Sequence, residues 1–502
     1  KRLMILKDIS DLDKSFPITI IGTGPASATL ALKLEENKIP CLLLEAGGFE
    51  KRDESDIFIP NNSSQDFYRG DKGEKSYLGE LHEQRIRSFG GTSNLWTGLS
   101  RPLEEYVFEK WPIKKKDLQI YYKEAAEILE LKTNFDSDVF LSDQIRQVEY
   151  VYSRNMHFDK NKGKSNPVRW SEKYKERIIK SKYIHLSINS PVLRIIGNNK
   201  ICNEILINKN NIEKYIPVKR LVVGCGGYEN ARLLLWSQKK SKTNFLQNLP
   251  IGNYFNVHPE WKTASGIARI DLLDKFFVKD IRNPVWGGTY ILSPTKTFLK
   301  QNNISNIIVM IYKYDHHEKY KEFLREILCV APEYAHKIAA LAKKKITCSH
   351  VSMNTVCEQE PLKENKITLS KTKFDTYGIP RIKMEFKLQN SVRKTMATCL
   401  EEVGRLFIDN DLGRIKIQDW LYDYSKDFSK DGIADNGCHH IGSTRMGNDS
   451  KISVVDMNLK VHNTENLFVA GSSVFTTGGV ANPTLTITQL SLRLANHIKQ
   501  II

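Results

Sequence analysis

The chain has 502 residues, 40% of them hydrophobic and 26% charged, with 75 Lys and Arg against 58 Asp and Glu for a formal net charge of +17. That balance supports a folded core and excludes a disordered chain. Apolar runs such as 42–44 and 307–311 fall far short of the roughly 18 residues a membrane helix needs, so no membrane span is expected.

The lysines are scattered and form runs only at 114–116 and 343–345. This reads as a solvated basic surface, and no nucleic-acid partner is expected. Eight cysteines without a Cys-x-x-Cys pair, several inside apolar segments, read as packed thiols and not as a disulfide frame or zinc site.

In chain order, the opening KRLMILKDISDLDKSF has a basic start but no long apolar core or cleavage site, so a cytoplasmic location is expected. Ile18 to Ile21 then form a short β-rich run, and Gly22-Thr23-Gly24 allows a sharp turn with close backbone approach to a ligand. Ala28, Ala31 and Leu32 recur at helical spacing, which puts the glycines at a helix N-terminus able to receive a pyrophosphate. A second strand, Cys41 to Leu44, ends in Glu45, 21 positions beyond Gly24, where a carboxylate accepts ribose hydroxyls. Ser27 stands where a third glycine is common and is small enough for close helix–sheet packing. Strand, turn, helix and acidic terminator together indicate a dinucleotide site and leave NAD and FAD open.

Residues 50–84 read as an excursion over the cofactor edge, and RIRSFGGTSNLWTG at 85–98 is a second glycine turn. Leu118, Tyr121, Tyr122, Ala125 and Ile128 have helical spacing, and 198–212 and 362–378 read as hairpins or loops. In CHHIGSTRMGN, at 438–448, an extended segment would send His439 and His440 to opposite faces. With no helical i, i+4 spacing and no nearby ligand cluster, no metal site is expected. The C-terminal stretch VAGSSVFTTGGVANPTLTITQL combines a strand, a glycine turn and Asn-Pro-Thr before a helix whose pattern begins with Leu485, Gln489 and Leu490.

Four separated segments now resemble the glucose-methanol-choline (GMC) family of FAD-dependent oxidoreductases: GTGPAS with Glu45; RSFGGTSNLWTG with the helix after it; RLVVGCGGYENARLLL at 220–235; and HHIGSTRMG through NPTLTI. GNYFNVHPE at 252–260 and EQEPLKENKITL at 358–369 are weaker echoes. The resemblance is nearest to the sugar-oxidising branch of pyranose oxidases and glucoside 3-dehydrogenases, in which the last active-site residue is usually the Asn of Asn-Pro-Thr. It implies an α/β fold class: a Rossmann-like FAD-binding domain with an α+β substrate domain built on an antiparallel sheet. The FAD-binding domain is expected over 1–110, 185–260 and 430–502, and the substrate domain over 111–184 and 261–429.

The same resemblance implies His439 as general base, with Ser443 in the place of the usual Thr, and Asn482 as substrate-orienting partner. A one-residue shift of register would exchange His439 and His440. FAD contacts are implied for Gly22, Gly24, Pro25, Ala26 and Glu45, for Arg87, Gly90, Gly91 and Asn94, for Val192 beside adenine, and for Gly471, Asn482 and Thr484. Gly224 to Gly227 mark a further close approach. Some relatives of this branch hold flavin covalently through a histidine before the Trp of the second glycine turn; here that residue is Leu95, so dissociable FAD is expected. Thr476 replaces a common proline.

The expected reaction is oxidation of a secondary hydroxyl of a sugar, glycoside or glycan intermediate to a ketone. A GMC alcohol or sterol oxidase and a non-catalytic flavin electron-carrier subunit are the alternatives. An electron-acceptor protein or accessory subunit is an implied partner, and export through such a subunit stays open.

Overall fold

The computed structural model of the chain describes residues 5–49, 86–131, 135, 138–154, 158–159, 163–164, 167–258, 260–277, 281–283, 287–313, 348–425, 433–435 and 439–502. The expected excursion at 50–84 and Cys438 lie outside the described residues.

Ile18–Ile21 is buried at every position and forms the central strand of a parallel sheet. A strand covered on both faces needs such an unbroken apolar run. It pairs with Cys41–Leu44 on one side and Leu221–Val223 on the other. Ile184–Ser187 and Leu467–Val469 extend the sheet outward, all in parallel. Each fully buried aliphatic side chain here contributes about 1.5–3 kcal/mol of transfer free energy. The sheet therefore collects strands from both ends and the middle of the chain.

The helices Pro25–Glu36 and Thr484–Ile501 pack against one another beside this sheet. Leu485, Gln489 and Leu490 are buried as their spacing predicts. Gly226–Lys240 packs on an antiparallel unit of Val192–Asn198, Ile201–Lys209 and Ile212–Pro217. Its second hairpin turns on Asn210 and Asn211, both left-handed at φ 53° and 62°, the conformation a tight two-residue turn requires. Lys366–Phe374 and Pro380–Glu385 form the other expected hairpin.

A second, antiparallel sheet runs in the order Gly413–Ile417, Glu260–Arg269, Cys348–Cys357, Ile307–Lys313, Gly287–Pro294, Ile145–Gln147 and Val139–Phe140. Alternation gives it two apolar faces. Ile307, Val309 and Ile311 share a core with Leu400, Val403 and Phe407 of the long helix Asn390–Asp409. Ile308 and Met310 point the other way, into the cavity described next. The helix expected around residues 118–128 is split in two, Lys115–Gln119 and Tyr122–Leu129, with Leu118 and Ala125 buried and Ile120 exposed at the break.

Among the described residues no helix is long and apolar enough to cross a membrane, and no cluster of His, Cys, Asp or Glu is arranged to hold a metal ion.

Gly22 has φ +91°, and a Cβ there would lie 2.5 Å from the Gly224 carbonyl oxygen. Gly22→Ala is expected to lower stability by about 1–3 kcal/mol. A urea-unfolding midpoint that moves down with an unchanged slope checks this.

Candidate active site

Three helices begin at the wall of one cavity of about 550 Å³: Pro25–Glu36, Gly226–Lys240 and Thr484–Ile501. None has a side-chain hydrogen bond capping its N-terminus. The first turn of each carries N–H groups without intrahelical partners and the positive end of the helix dipole. All three lie at the carboxyl edge of the parallel sheet, where open α/β folds bind ligands.

The two glycine turns meet there. A Cβ on Gly91, itself at φ +52°, would stand 3.0 Å from Gly24 Cα, so a side chain at that position would wedge the turns apart. The Gly90 amide donates to Thr23 Oγ1 at 3.1 Å, and the Thr23 hydroxyl donates to Glu45. Ser27 donates to the carbonyls of Ile21 and Gly224, each at 3.2 Å, closing the helix onto the strands. Glu45 is buried at the end of its strand and accepts the Gly47 amide at 2.9 Å. Burial pushes its carboxyl up to about 7, against the opposing pull of the Gly47 amide, the Thr23 hydroxyl and Arg87.

At the other end His439 stands between two partners. Its Nε2 lies 3.1 Å from Asn482 Nδ2 and its Nδ1 lies 3.3 Å from His258 Nδ1. Burial pushes His439 down to about 4, and burial with the neighbouring His439 pushes His258 down to about 3. Both rings are therefore neutral at ordinary pH. His440 takes another direction: its ring packs on Tyr228 with centroids 3.9 Å apart, while its carbonyl accepts the Ser472 hydroxyl at 2.6 Å. Of the two histidines, His439 is the one facing Asn482. Ser443 donates to the Gly227 carbonyl at 2.6 Å and Thr476 to that of Met446 at 2.9 Å, so both serve the turn's geometry.

Gly22, Gly24, Pro25, Ala26, Glu45, Arg87, Gly91, Val192, Gly471, Asn482, Thr484 and His439 all line the cavity, as does Leu95. Gly90 and Asn94 do not line it. Gly90 is pressed against Ser171, which a Cβ would meet at 2.7 Å. Asn94 turns inward to donate to Ser88 Oγ and the Phe89 carbonyl while Ser171 donates to it. These two residues brace the second glycine turn from behind.

Sequence reasoning assigned no role to His258, Tyr150 or Glu358. Tyr150 donates to the Val480 carbonyl at 3.1 Å, and Glu358 accepts the Gly479 amide at 2.8 Å. Both fix the loop that carries Asn482. His258 and Glu358 fall in the two weaker motifs, GNYFNVHPE and EQEPLKENKITL, so a signal was present; Tyr150 had none.

Residues 361–491 match the family model described as GMC oxidoreductase. The C-terminal part of the chain is thus similar to that of GMC oxidoreductases. A 138-residue stretch is 33% identical to the fructose dehydrogenase large subunit of Gluconobacter japonicus, covering 28% of this chain and 23% of that protein. A 155-residue stretch is 26% identical to a C-glycoside 3-oxidase of Arthrobacter globiformis, covering 30% of this chain and 27% of that protein. Similarity to a pyranose 2-oxidase of Emericella nidulans is 29% over 143 residues, covering 27% and 23%. The matches thus span about a quarter of these curated relatives' length. The fold is shared over nearly the whole chain: pyridoxine 4-oxidase aligns over 97% of this chain and 99% of its own with a TM-score of 0.59 at 15% identity, and formate oxidase over the same shares at 0.56 and 15%.

FAD is the cofactor of GMC oxidoreductases, and the cavity fits it on three observations. The uncapped N-terminus of Pro25–Glu36 suits the pyrophosphate; the facing glycines 24 and 91 leave room for close approach; and Glu45 suits the ribose hydroxyls.

Hydroxyl donors bond an ionised carboxylate more strongly than a neutral acid, so FAD affinity should rise as pH increases through about 7, where Glu45 titrates. Fluorescence titration of apoprotein with FAD across pH 6–8 checks this; Glu45→Gln is expected to bind more weakly and to lose the pH dependence.

Proposed function

We propose that the chain is an FAD-dependent oxidoreductase that oxidises a secondary hydroxyl of a sugar or glycoside to a ketone. The observation that carries this reading is the neutral His439 with its Nε2 3.1 Å from Asn482 Nδ2 at the cavity wall. FAD, when bound, supplies the two-electron acceptor for the hydride leaving the alcohol carbon. The substrate hydroxyl enters between the two side chains. His439 Nε2 takes its proton as the carbonyl forms, and the Asn482 amide donates to its oxygen and fixes the direction of the C–H bond. The proton then rests on His439.

Similarity to a fructose dehydrogenase, a C-glycoside 3-oxidase and a pyranose 2-oxidase supports the sugar class. The cavity narrows it. Leu99, Ile291, Ile308, Met310, Val356 and Val480 form an apolar wall continuous with the Asn482 loop. A free sugar lying on this wall would leave hydroxyls unpaired, at a cost of about 1–3 kcal/mol each. A glycoside whose aglycone covers the wall avoids that cost. The same wall favours, as a second reading, an apolar-bodied alcohol; a 2-methyl-1,2-propanediol dehydrogenase of Mycolicibacterium austroafricanum is similar at 27% identity over 155 residues.

Leu95 lines the cavity without a heteroatom to form a bond to flavin, which supports dissociable FAD. The large-subunit relative supports an accessory or electron-accepting partner subunit. A cytoplasmic location stays part of the proposal.

His439→Ala that retains FAD should slow anaerobic flavin reduction by about 10²–10⁴-fold; reduction at the native rate would remove the base assignment. Because burial depresses His439, reduction in the native protein should be independent of pH around neutrality and fall as pH drops through about 4. A stopped-flow pH series checks this; loss beginning near pH 6.5 would contradict the buried neutral base.

A further inference from the structure

Asn256 and Ile441 form an isolated antiparallel bridge, with both backbone hydrogen bonds made, at 3.0 and 2.9 Å. Moving outward by two residues in each direction brings His258 opposite His439. Cross-strand partners of this kind share a face, and the two Nδ1 atoms are 3.3 Å apart with the rings at 81°. His258 is 1% exposed. Its Nε2 has no hydrogen-bond partner among the described residues and abuts Gly478, where a Cβ would come within 2.3 Å.

We propose that His258 is a positioning residue that sets the tautomer of His439, accepting a hydrogen bond from His439 Nδ1–H so that Nε2 is left bare toward the substrate. This rests on the reading of His439 as the base. Two neutral imidazoles that meet Nδ1 to Nδ1 hold one proton between them. If His439 carries it, Nε2 is a lone pair and accepts from the Asn482 amide, in keeping with the 3.1 Å contact to Nδ2. If His258 carries it, His439 Nε2 bears the hydrogen and has no lone pair to offer the alcohol. Only the first arrangement leaves a lone pair for the alcohol proton; it places the single hydrogen of His258 on Nε2, against Gly478. Once His439 has taken that proton, its Nδ1–H still points at a neutral acceptor.

A charged His258 would turn its Nδ1 into a donor facing the His439 Nδ1–H 3.3 Å away, so acceptance from His439 requires the neutral ring. Gly478 also blocks its retreat. The register bridge, the small residue behind it and the amide in front together make a chain from Gly478 through His258 and His439 to Asn482.

The test uses FAD-loaded protein labelled with 15N-histidine, in the native form and as His258→Leu and His258→Asn. In native protein the histidine nitrogen spectrum should show His439 protonated at Nδ1 and bare at Nε2. His258→Leu removes the acceptor, so His439 should shift to the Nε2-protonated form and anaerobic flavin reduction should slow on the order of 10²-fold, with little change in substrate affinity. The side-chain amide introduced by His258→Asn offers an acceptor oxygen in the same place and should restore both the tautomer and most of the rate. A native spectrum with Nε2 protonated, a Leu variant at the native rate, or an Asn variant as slow as Leu despite a native tautomer would overturn the inference. A slow His439→Ala beside a fast His258→Leu would sink this inference alone; a fast His439→Ala would sink the base reading beneath it.

Discussion

The rest of the molecule depends on three uncapped helix N-termini meeting at one edge of a parallel sheet. Unpartnered N–H groups at a buried helix end are unfavourable unless an anion or polar ligand meets them. Placing three of them around one cavity adds backbone polarity to that of the charged side chains lining it, among them Glu45 and Arg87. It also explains the chain's path: strands 18–21, 221–223 and 467–469 must lie side by side for their helices to start together. The small residues follow from the same constraint, because Gly22, Gly91 and Gly224 sit where a Cβ would strike neighbouring backbone or Ser27.

The antiparallel sheet supplies the opposite wall, and its alternation separates two tasks. Odd-numbered residues of 307–311 bind it to the helix Asn390–Asp409, and even-numbered ones face the cavity. Its strands and the loops around them are tied to the loop that carries Asn482 by named bonds, from Tyr150 to the Val480 carbonyl and from the Gly479 amide to Glu358. Behind Tyr150, Arg101 and Arg146 both engage Glu104 and Asp138 at 2.8 Å. Removing one member would leave a partly buried charge short of its partner, which costs far more than an exposed pair would.

What was legible in the sequence was local. The run from Ile18 to Glu45 has its own periodicity and punctuation, so strand, turn, helix and carboxylate could be placed in order. Short motifs surround His439 and Asn482 and singled them out, and the structure brings the two side chains together at the cavity wall. The bonds from the Asn94 side chain to Ser88 and the Phe89 carbonyl were not legible, because direction within a turn is not written in residue type. His258 could not be matched to His439 because their meeting depends on the bridge between Asn256 and Ile441, segments far apart in the chain. The break at Ile120 was hidden for a related reason: the apolar spacing continues through it, while the backbone does not.

The most direct measurement is anaerobic mixing of the FAD-loaded protein with an aryl or alkyl glycoside, protiated or deuterated at the ring carbinol carbons, while flavin absorbance is followed. Hydride abstraction directed by His439 and Asn482 predicts bleaching of the oxidised flavin band, slower with the deuterated glycoside, and a keto-glycoside product. Bound FAD that stays oxidised with every glycoside and apolar alcohol tried would contradict it.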